Sequence, residues 1–204
     1  MIALFGGTFN PIHKGHTELA REVIKAYELE SVEFLPSFLP VHRVTPETSA
    51  SLRKQLVEIA IQPYPELMLN SAEIDRQGSS YAVDTLQAIT EKCPQQSICW
   101  LMGADSFNSL LSWKNPADIL NMANLIVCAR PGVNLDKTIY PRHHLQQNEQ
   151  LKNFSSGKIV FYSMRPNNCS STKIRKLLGQ GESVTQCLTQ PVLEFIKLNH
   201  LYKT

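Results

Sequence analysis

Short apolar runs alternate along this chain with stretches whose apolar residues recur every three or four positions. Ile2-Ala3-Leu4-Phe5 reads as a buried strand, and Leu19, Ala20, Val23, Ile24 and Tyr27 mark one face of the helix after it. Val32-Glu33-Phe34-Leu35 is a second strand, stopped by Pro36. Residues 36–50 carry three prolines and read as a long ordered loop. Helical spacing resumes at Ser51 with Leu52, Leu56, Ile59 and Ala60, and Leu67-Met68-Leu69 is a short strand. Ser79 or Ser80 is the expected cap of a helix that turns Ala82, Leu86 and Ile89 inward.

Ile98-Cys99-Trp100-Leu101-Met102 is apolar throughout, as in a strand covered on both faces. Pro116 opens a further helix; Leu125-Ile126-Val127-Cys128-Ala129 follows as a strand, with a turn at Pro131-Gly132. Residues 133–156 are polar and read as a weakly structured excursion, with His143-His144 in solvated loop. Ile159-Val160-Phe161-Tyr162 is a last strand, Ser170 begins a helix, and a final helix runs from Pro191 through Val192, Phe195 and Ile196. Strands alternating with helices predict an α/β fold with a doubly wound parallel sheet. Neither a repeat nor a linker divides the chain, so residues 1–204 are expected to form one domain.

Composition narrows the class without naming a chemistry. Hydrophobic content of 43%, charge of 19% and a net charge of +2 are ordinary for a soluble globular protein. No basic cluster calls for nucleic acid or an anionic membrane. The N-terminus lacks the features of a signal peptide, and no apolar run reaches membrane-spanning length. Cys93, Cys99, Cys128, Cys169 and Cys187 are odd in number and form no C-x-x-C pair, which predicts reduced thiols in a cytoplasmic protein. A homo-oligomer is compatible with all of this.

Two segments carry chemistry. The first, Phe5-Gly6-Gly7-Thr8-Phe9-Asn10-Pro11-Ile12-His13-Lys14-Gly15-His16, is a strand-to-helix turn, where open α/β sheets place ligands. Gly6 and Gly7 permit close backbone approach, and the free amides and dipole of the helix start favour an anion. His16 sits one turn before Leu19 and Ala20, and His13 can converge on the same point; two imidazoles at an anion corner suggest phosphate chemistry. Neither G-x-x-x-x-G-K-[ST] nor G-x-G-x-x-G is present. The second segment is Ser170-Ser171-Thr172-Lys173-Ile174-Arg175-Lys176. Its cations crowd a helix start, where the macrodipole disfavours each by about 0.3–1 kcal/mol. A bound polyanion removes that conflict, and Ser171 and Arg175, at i and i+4, share a face.

The first segment resembles the signature of nucleotidyltransferases with an H-x-G-H motif, G-G-T-F-(D/N)-P-(I/V)-H-x-G-H. The second resembles their I-S-S-T-x-I-R signature, with Cys169 at an aliphatic packing position and therefore expected as a small core group. Three more stretches resemble the bacterial nicotinate-nucleotide adenylyltransferases. Pro36 to Arg43 is similar to P-x-x-x-P-P-H-(K/R), with Val41 for the second proline. Ser79 to Leu86 is similar to P-S-Y-T-x-x-T-L, with Ser79 and Ala82 for proline and threonine. Gly103-Ala104-Asp105-Ser106, Trp113 and Leu125 to Gly132 resemble G-x-D-(S/A)…W…(L/F)-x-V-x-x-R-P-G.

The resemblance implies a Rossmann-like fold and adenylyl transfer from ATP to nicotinate mononucleotide, with Mg²⁺, giving nicotinate adenine dinucleotide and pyrophosphate. It places Gly6, Gly7, Thr8, Phe9, His16, Gly103 and Asp105 at ATP, and Ser170, Ser171, Thr172 and Arg175 at the leaving pyrophosphate. His13 and His16, with Thr8, would contact the reacting phosphates. Trp113 would stack on the nicotinate ring, and amides near Ala82 and Lys114, beside Tyr81, would hold its carboxylate. Ser37, His42 and Arg43 would approach the mononucleotide phosphate, and Arg130 joins this set. No metal ligands are expected from the protein. The rival readings are another H-x-G-H transferase, such as the pantetheine-phosphate enzyme, and a nucleotide-binding module without catalysis. The first tends to be shorter and lacks the Tyr81 and Trp113 features, and the second needs neither both histidines nor Arg175.

Overall fold

A computed structural model of the protein describes residues 1–41, 45–130, 132–147 and 149–202. Six parallel strands make the main sheet: β1 (Ile2–Gly7), β2 (Ser31–Pro36), β4 (Leu67–Leu69), β6 (Ile98–Gly103), β7 (Asn124–Ala129) and β8 (Ile159–Ser163). Their order is β4-β2-β1-β6-β7-β8. The chain thus runs outward one way from β1 to β4, then returns beside β1 and runs outward the other way. The crevice between the ends of β1 and β6 is the switch point at which such sheets bind ligands.

Alternation along the strands splits the core in two. Ala3, Phe5, Val32, Phe34, Leu101 and Ile126 pack on one face, with buried residues of helices α1 (Lys14–Tyr27), α2 (Ala50–Ile61), α7 (Ser171–Gly179) and α8 (Gln190–Leu198). Leu4, Leu35, Trp100, Met102, Leu125 and Val127 point to the other face, against α4 (Ala82–Lys92), α5 (Ala104–Asn108) and α6 (Pro116–Met122). Among the described residues no helix is long and apolar enough to cross a membrane.

Three local expectations are corrected. Ser79 and Ser80 do not cap α4. They form a short strand, β5 (Ser79–Ser80), parallel to β3 (Leu39–Pro40), and the Ser80 hydroxyl accepts from the Phe38 amide at 3.0 Å, so Tyr81 stands at the cap. Helix α2 begins at Ala50 rather than Ser51, because the Ser49 side chain accepts from the Leu52 amide. His143 and His144 are half-buried: their rings engage the carbonyls of Gly157 (2.7 Å) and Ile139 (3.0 Å). With Ile139 and Leu151 buried beneath, residues 133–156 wrap the β7–β8 edge as ordered chain, apart from Asn148, which lies outside the described residues.

Candidate active site

The turn after β1 gathers the first anion corner. Phe9 adopts φ 47°, a left-handed conformation seldom taken by a bulky residue, and is held there by packing against Phe5 and Phe34. A Cβ on Gly7 would stand 2.8 Å from the Phe9 ring, and one on Gly6 would stand 2.8 Å from the Trp100 indole. Both glycines therefore admit aromatic rings as well as leaving backbone open to the crevice.

Helix α1 starts at Lys14, and the two motif imidazoles stack at its first turn with centroids 3.7 Å apart. The His13 amide donates to His16 Nδ1 at 3.2 Å, which leaves the ring proton of His16 on Nε2. Phe5 and Phe9 meet the His16 ring edge-on. His13 is buried, and among the described residues its Nδ1 has no hydrogen-bond partner. Burial foremost, then the nearby charge of Arg130, lowers its pKa from 6.5 to about 4, so it is neutral at pH 7. Gly15 keeps this corner open, since a Cβ there would meet both His13 and Asn167 at 3.1 Å.

The second corner lies against the first. Ser170 caps α7, its hydroxyl accepting from the Lys173 amide. Ser171 Oγ donates to the Pro11 carbonyl at 2.9 Å, and Arg175 Nη1 donates to the Asn10 carbonyl at 2.7 Å. Asn10 is held again from its side chain, which accepts from the Tyr202 hydroxyl at 2.8 Å. Arg130, exposed at the end of β7, donates to the Cys169 carbonyl at 3.4 Å.

Cys169 is not the isolated small core group expected from its position. It forms a disulfide with Cys187, 18 residues on. Asn167 Oδ1 accepts from the Cys169 amide and turns the chain there, while the Cys187 carbonyl accepts from the Lys14 amide at the start of α1. The bridge thus joins the approaches to both helix starts. An odd count leaves a cysteine over; it does not forbid a pair, and Cys93, Cys99 and Cys128 are the free ones.

A third part of the crevice lies between α4 and the turn before α6. Trp113 is half-buried there, on the same cleft as Tyr81. The Lys114 ammonium pairs with Asp84 at 2.8 Å and lies 5.0 Å over the Tyr81 ring, so its charge is engaged, and Lys114 lines the crevice. Asp105 occupies the first turn of α5 after Gly103, exposed at the end of β6. Among the described residues the Ser37 hydroxyl, just past β2, is buried without a partner.

These three parts are one cleft of about 770 Å³. Every described residue expected at either substrate lines it, from Gly6, Gly7, Thr8, Phe9, His13 and His16 through Ser37, Tyr81, Ala82, Gly103, Asp105, Trp113, Lys114 and Arg130 to Ser170, Ser171, Thr172 and Arg175. His42 and Arg43 lie outside the described residues. Sequence reasoning missed Asn10, Asn167 and Tyr202 as braces of the two corners, although Asn10 lay inside the motif itself. It also missed Glu73, a buried carboxyl on the cleft wall. Desolvation raises the pKa of Glu73, and its carboxylate accepts from Thr85 Oγ1 at 3.0 Å.

With this geometry the comparisons agree. The cytidylyltransferase-like family profile matches residues 4–177. A protein of Coxiella burnetii (strain Dugway 5J108-111) named "Probable nicotinate-nucleotide adenylyltransferase" is 36% identical over 211 residues, covering 100% of this chain and 98% of that protein. One of the same name from Marinomonas sp. (strain MWYL1) is 33% identical over 99% of this chain and 94% of its own. The fold matches that of Plasmodium falciparum nicotinic acid mononucleotide adenylyltransferase complexed with NaAD, with a TM-score of 0.76 at 15% identity over 98% of this chain and 96% of that one. The chain belongs to the cytidylyltransferase-like family and, within it, to the nicotinate-nucleotide adenylyltransferases.

Proposed function

We propose that this protein, acting as a single nucleotidyltransferase domain in the cytoplasm, transfers the adenylyl group of ATP to nicotinate mononucleotide, releasing pyrophosphate. The observation that carries the reading is the meeting of two helix starts on one cleft. The α1 corner with its imidazole pair and the α7 corner with Arg175 are tied together through Asn10 and Pro11. One triphosphate can span both.

The attacking group is the mononucleotide's own phosphate, already ionised near neutral pH, so the protein need supply neither nucleophile nor general base. Its work is alignment and donation to developing charge. His16, whose proton sits on Nε2, neutral His13, Thr8 and the α1 amides are suited to the transferring phosphoryl group. Arg175 spends one donor on Asn10 and keeps others for the departing pyrophosphate, beside the amides of α7. Asp105 is assigned to the ATP ribose and Trp113 to the nicotinate ring. The free amides at the start of α4, from Ala82, and those near Lys114 suit its carboxylate. A backbone site of this kind tolerates alanine at position 82. The acidic side chains on the cleft are Asp105 and Glu73, and Glu73 is committed to Thr85, so Mg²⁺ is assigned to the MgATP substrate, held by phosphate oxygens.

The test is a substrate panel with pyrophosphate release as readout. Nicotinate mononucleotide should support turnover, nicotinamide mononucleotide much less, and phosphopantetheine none. Turnover with phosphopantetheine in place of the mononucleotide would overturn the assignment.

A further inference from the structure

Arg53, on α2, is 1% exposed and is the largest fully buried side chain among the described residues. Among the described residues it has no carboxylate partner. Its guanidinium donates instead to four backbone carbonyls: Nε to Thr48 (3.2 Å), Nη1 to Thr8 (2.8 Å), and Nη2 to Ser37 (2.7 Å) and Phe38 (3.2 Å). Burying an unpaired cation is costly, and an apolar side chain of similar volume would fill the same space with no such penalty. What an apolar side chain cannot do is hold these carbonyls at set distances.

Their placement shows what is being held. The β1–β2 ladder ends at the Ser37 amide, which donates to Gly7. One residue beyond, the two strands leave the sheet as separate loops, Thr8 onward towards the triphosphate corner and Ser37–Phe38 onward towards the region assigned to the mononucleotide phosphate. The guanidinium fork bridges that gap. From Phe38 the tie continues through its amide to Ser80, directly before Tyr81 and the start of α4. Arg53 itself does not line the cleft.

We propose that Arg53 is a positioning residue for adenylyl transfer: its guanidinium sets the separation of the Thr8 loop and the Ser37–Phe38 loop, so that the attacking phosphate and the α-phosphorus meet in line. The proposal rests on the functional reading above. Each loop keeps its own substrate contacts without Arg53, whereas the distance between the two substrates does not survive. A displacement of about 1 Å between reacting groups is enough to cost about 100-fold in rate.

The experiment compares the full chain with Arg53→Met, Arg53→Gln and Arg53→Lys. It measures kcat and both KM values, the dissociation constants of nicotinate mononucleotide alone and of a non-hydrolysable ATP analogue alone, and the thermal midpoint. The neutral variants should lose about 10- to 100-fold in kcat while each binary dissociation constant stays within about threefold. Lysine should recover part of the loss, since an ammonium keeps the charge and reaches one loop but cannot fork across two. The proposal is overturned by a folded Arg53→Met with kcat within about twofold of the parent. It is equally overturned by activity that falls only in step with the folded fraction and both binary affinities, or by failure of all three variants to fold. A parent protein silent with nicotinate mononucleotide overturns the functional reading, whereas an active parent beside an equally active Arg53→Met overturns the positioning role alone.

Discussion

The Arg175 guanidinium donates to the carbonyl of Asn10 at 2.7 Å, across 165 residues of sequence. That bond makes the second signature part of the first, because the cation that would neutralise pyrophosphate also braces the loop between Thr8 and His13. Replacing Arg175 with lysine keeps the charge but loses the fork. Steady-state kinetics should show kcat/KM for ATP reduced about 100-fold, with KM for the mononucleotide little changed. Unchanged kinetics would remove Arg175 from the pyrophosphate end.

His16 is held by stacking on His13 and by the edges of Phe5 and Phe9, so its loss should leave the loops in place. His16→Ala should lower turnover by about 100- to 1,000-fold while calorimetry still detects binding of an ATP analogue. Near-normal turnover would refute its role at the reacting phosphates.

His13 links the site to acid stability. Its folded pKa of about 4 lies below the ordinary 6.5, so between those values the unfolded chain binds a proton that the folded chain does not. Stability is complete above pH 6.5, falls as pH drops through the window, and levels off below 4. The slope from this group is at most about 1.4 kcal/mol per pH unit. Urea unfolding of the parent and of His13→Gln at pH 7, 6 and 5 should show the two curves converging as pH falls. Parallel curves would mean that His13 titrates normally in the folded protein.

The thiols offer a count. Cys93 is exposed; burial pushes the Cys99 thiol up to about 12 and the Cys128 thiol higher still; Cys169 and Cys187 are paired. A charged thiol reagent at pH 8 should label one cysteine in the native protein, three in denaturant and five after reduction. Five labels in denaturant without reductant would show the bridge to be absent.

What could be read before the structure was whatever is encoded locally. Apolar runs marked β1, β6 and β7, and Ser170 announced α7, because period and punctuation act over a few residues. Helices α3 (Ala72–Arg76) and α5 span five residues each, too few turns to show a period. Strands β3 and β5 are two residues long and exist through each other. The cleft was legible where chemistry sits in compact motifs, and illegible where it depends on distant partners. A lone arginine in a helix reads as solvated surface, so nothing in the neighbourhood of Arg53 pointed to four carbonyls from elsewhere in the chain. Cys169 and Cys187 likewise meet only because the stretch between α7 and α8 folds back onto α1.

The bond from the Tyr202 hydroxyl to Asn10 spans 192 residues. Synthesis delivers the glycine-histidine segment well before its braces, Ser171, Arg175 and Tyr202. On the ribosome, a nascent chain stalled after β7 already carries both imidazoles but lacks the wall that would close them onto a triphosphate. Incomplete polypeptides that stop short of these braces therefore display the signature without a working crevice, and competence waits on segments made long after the imidazoles.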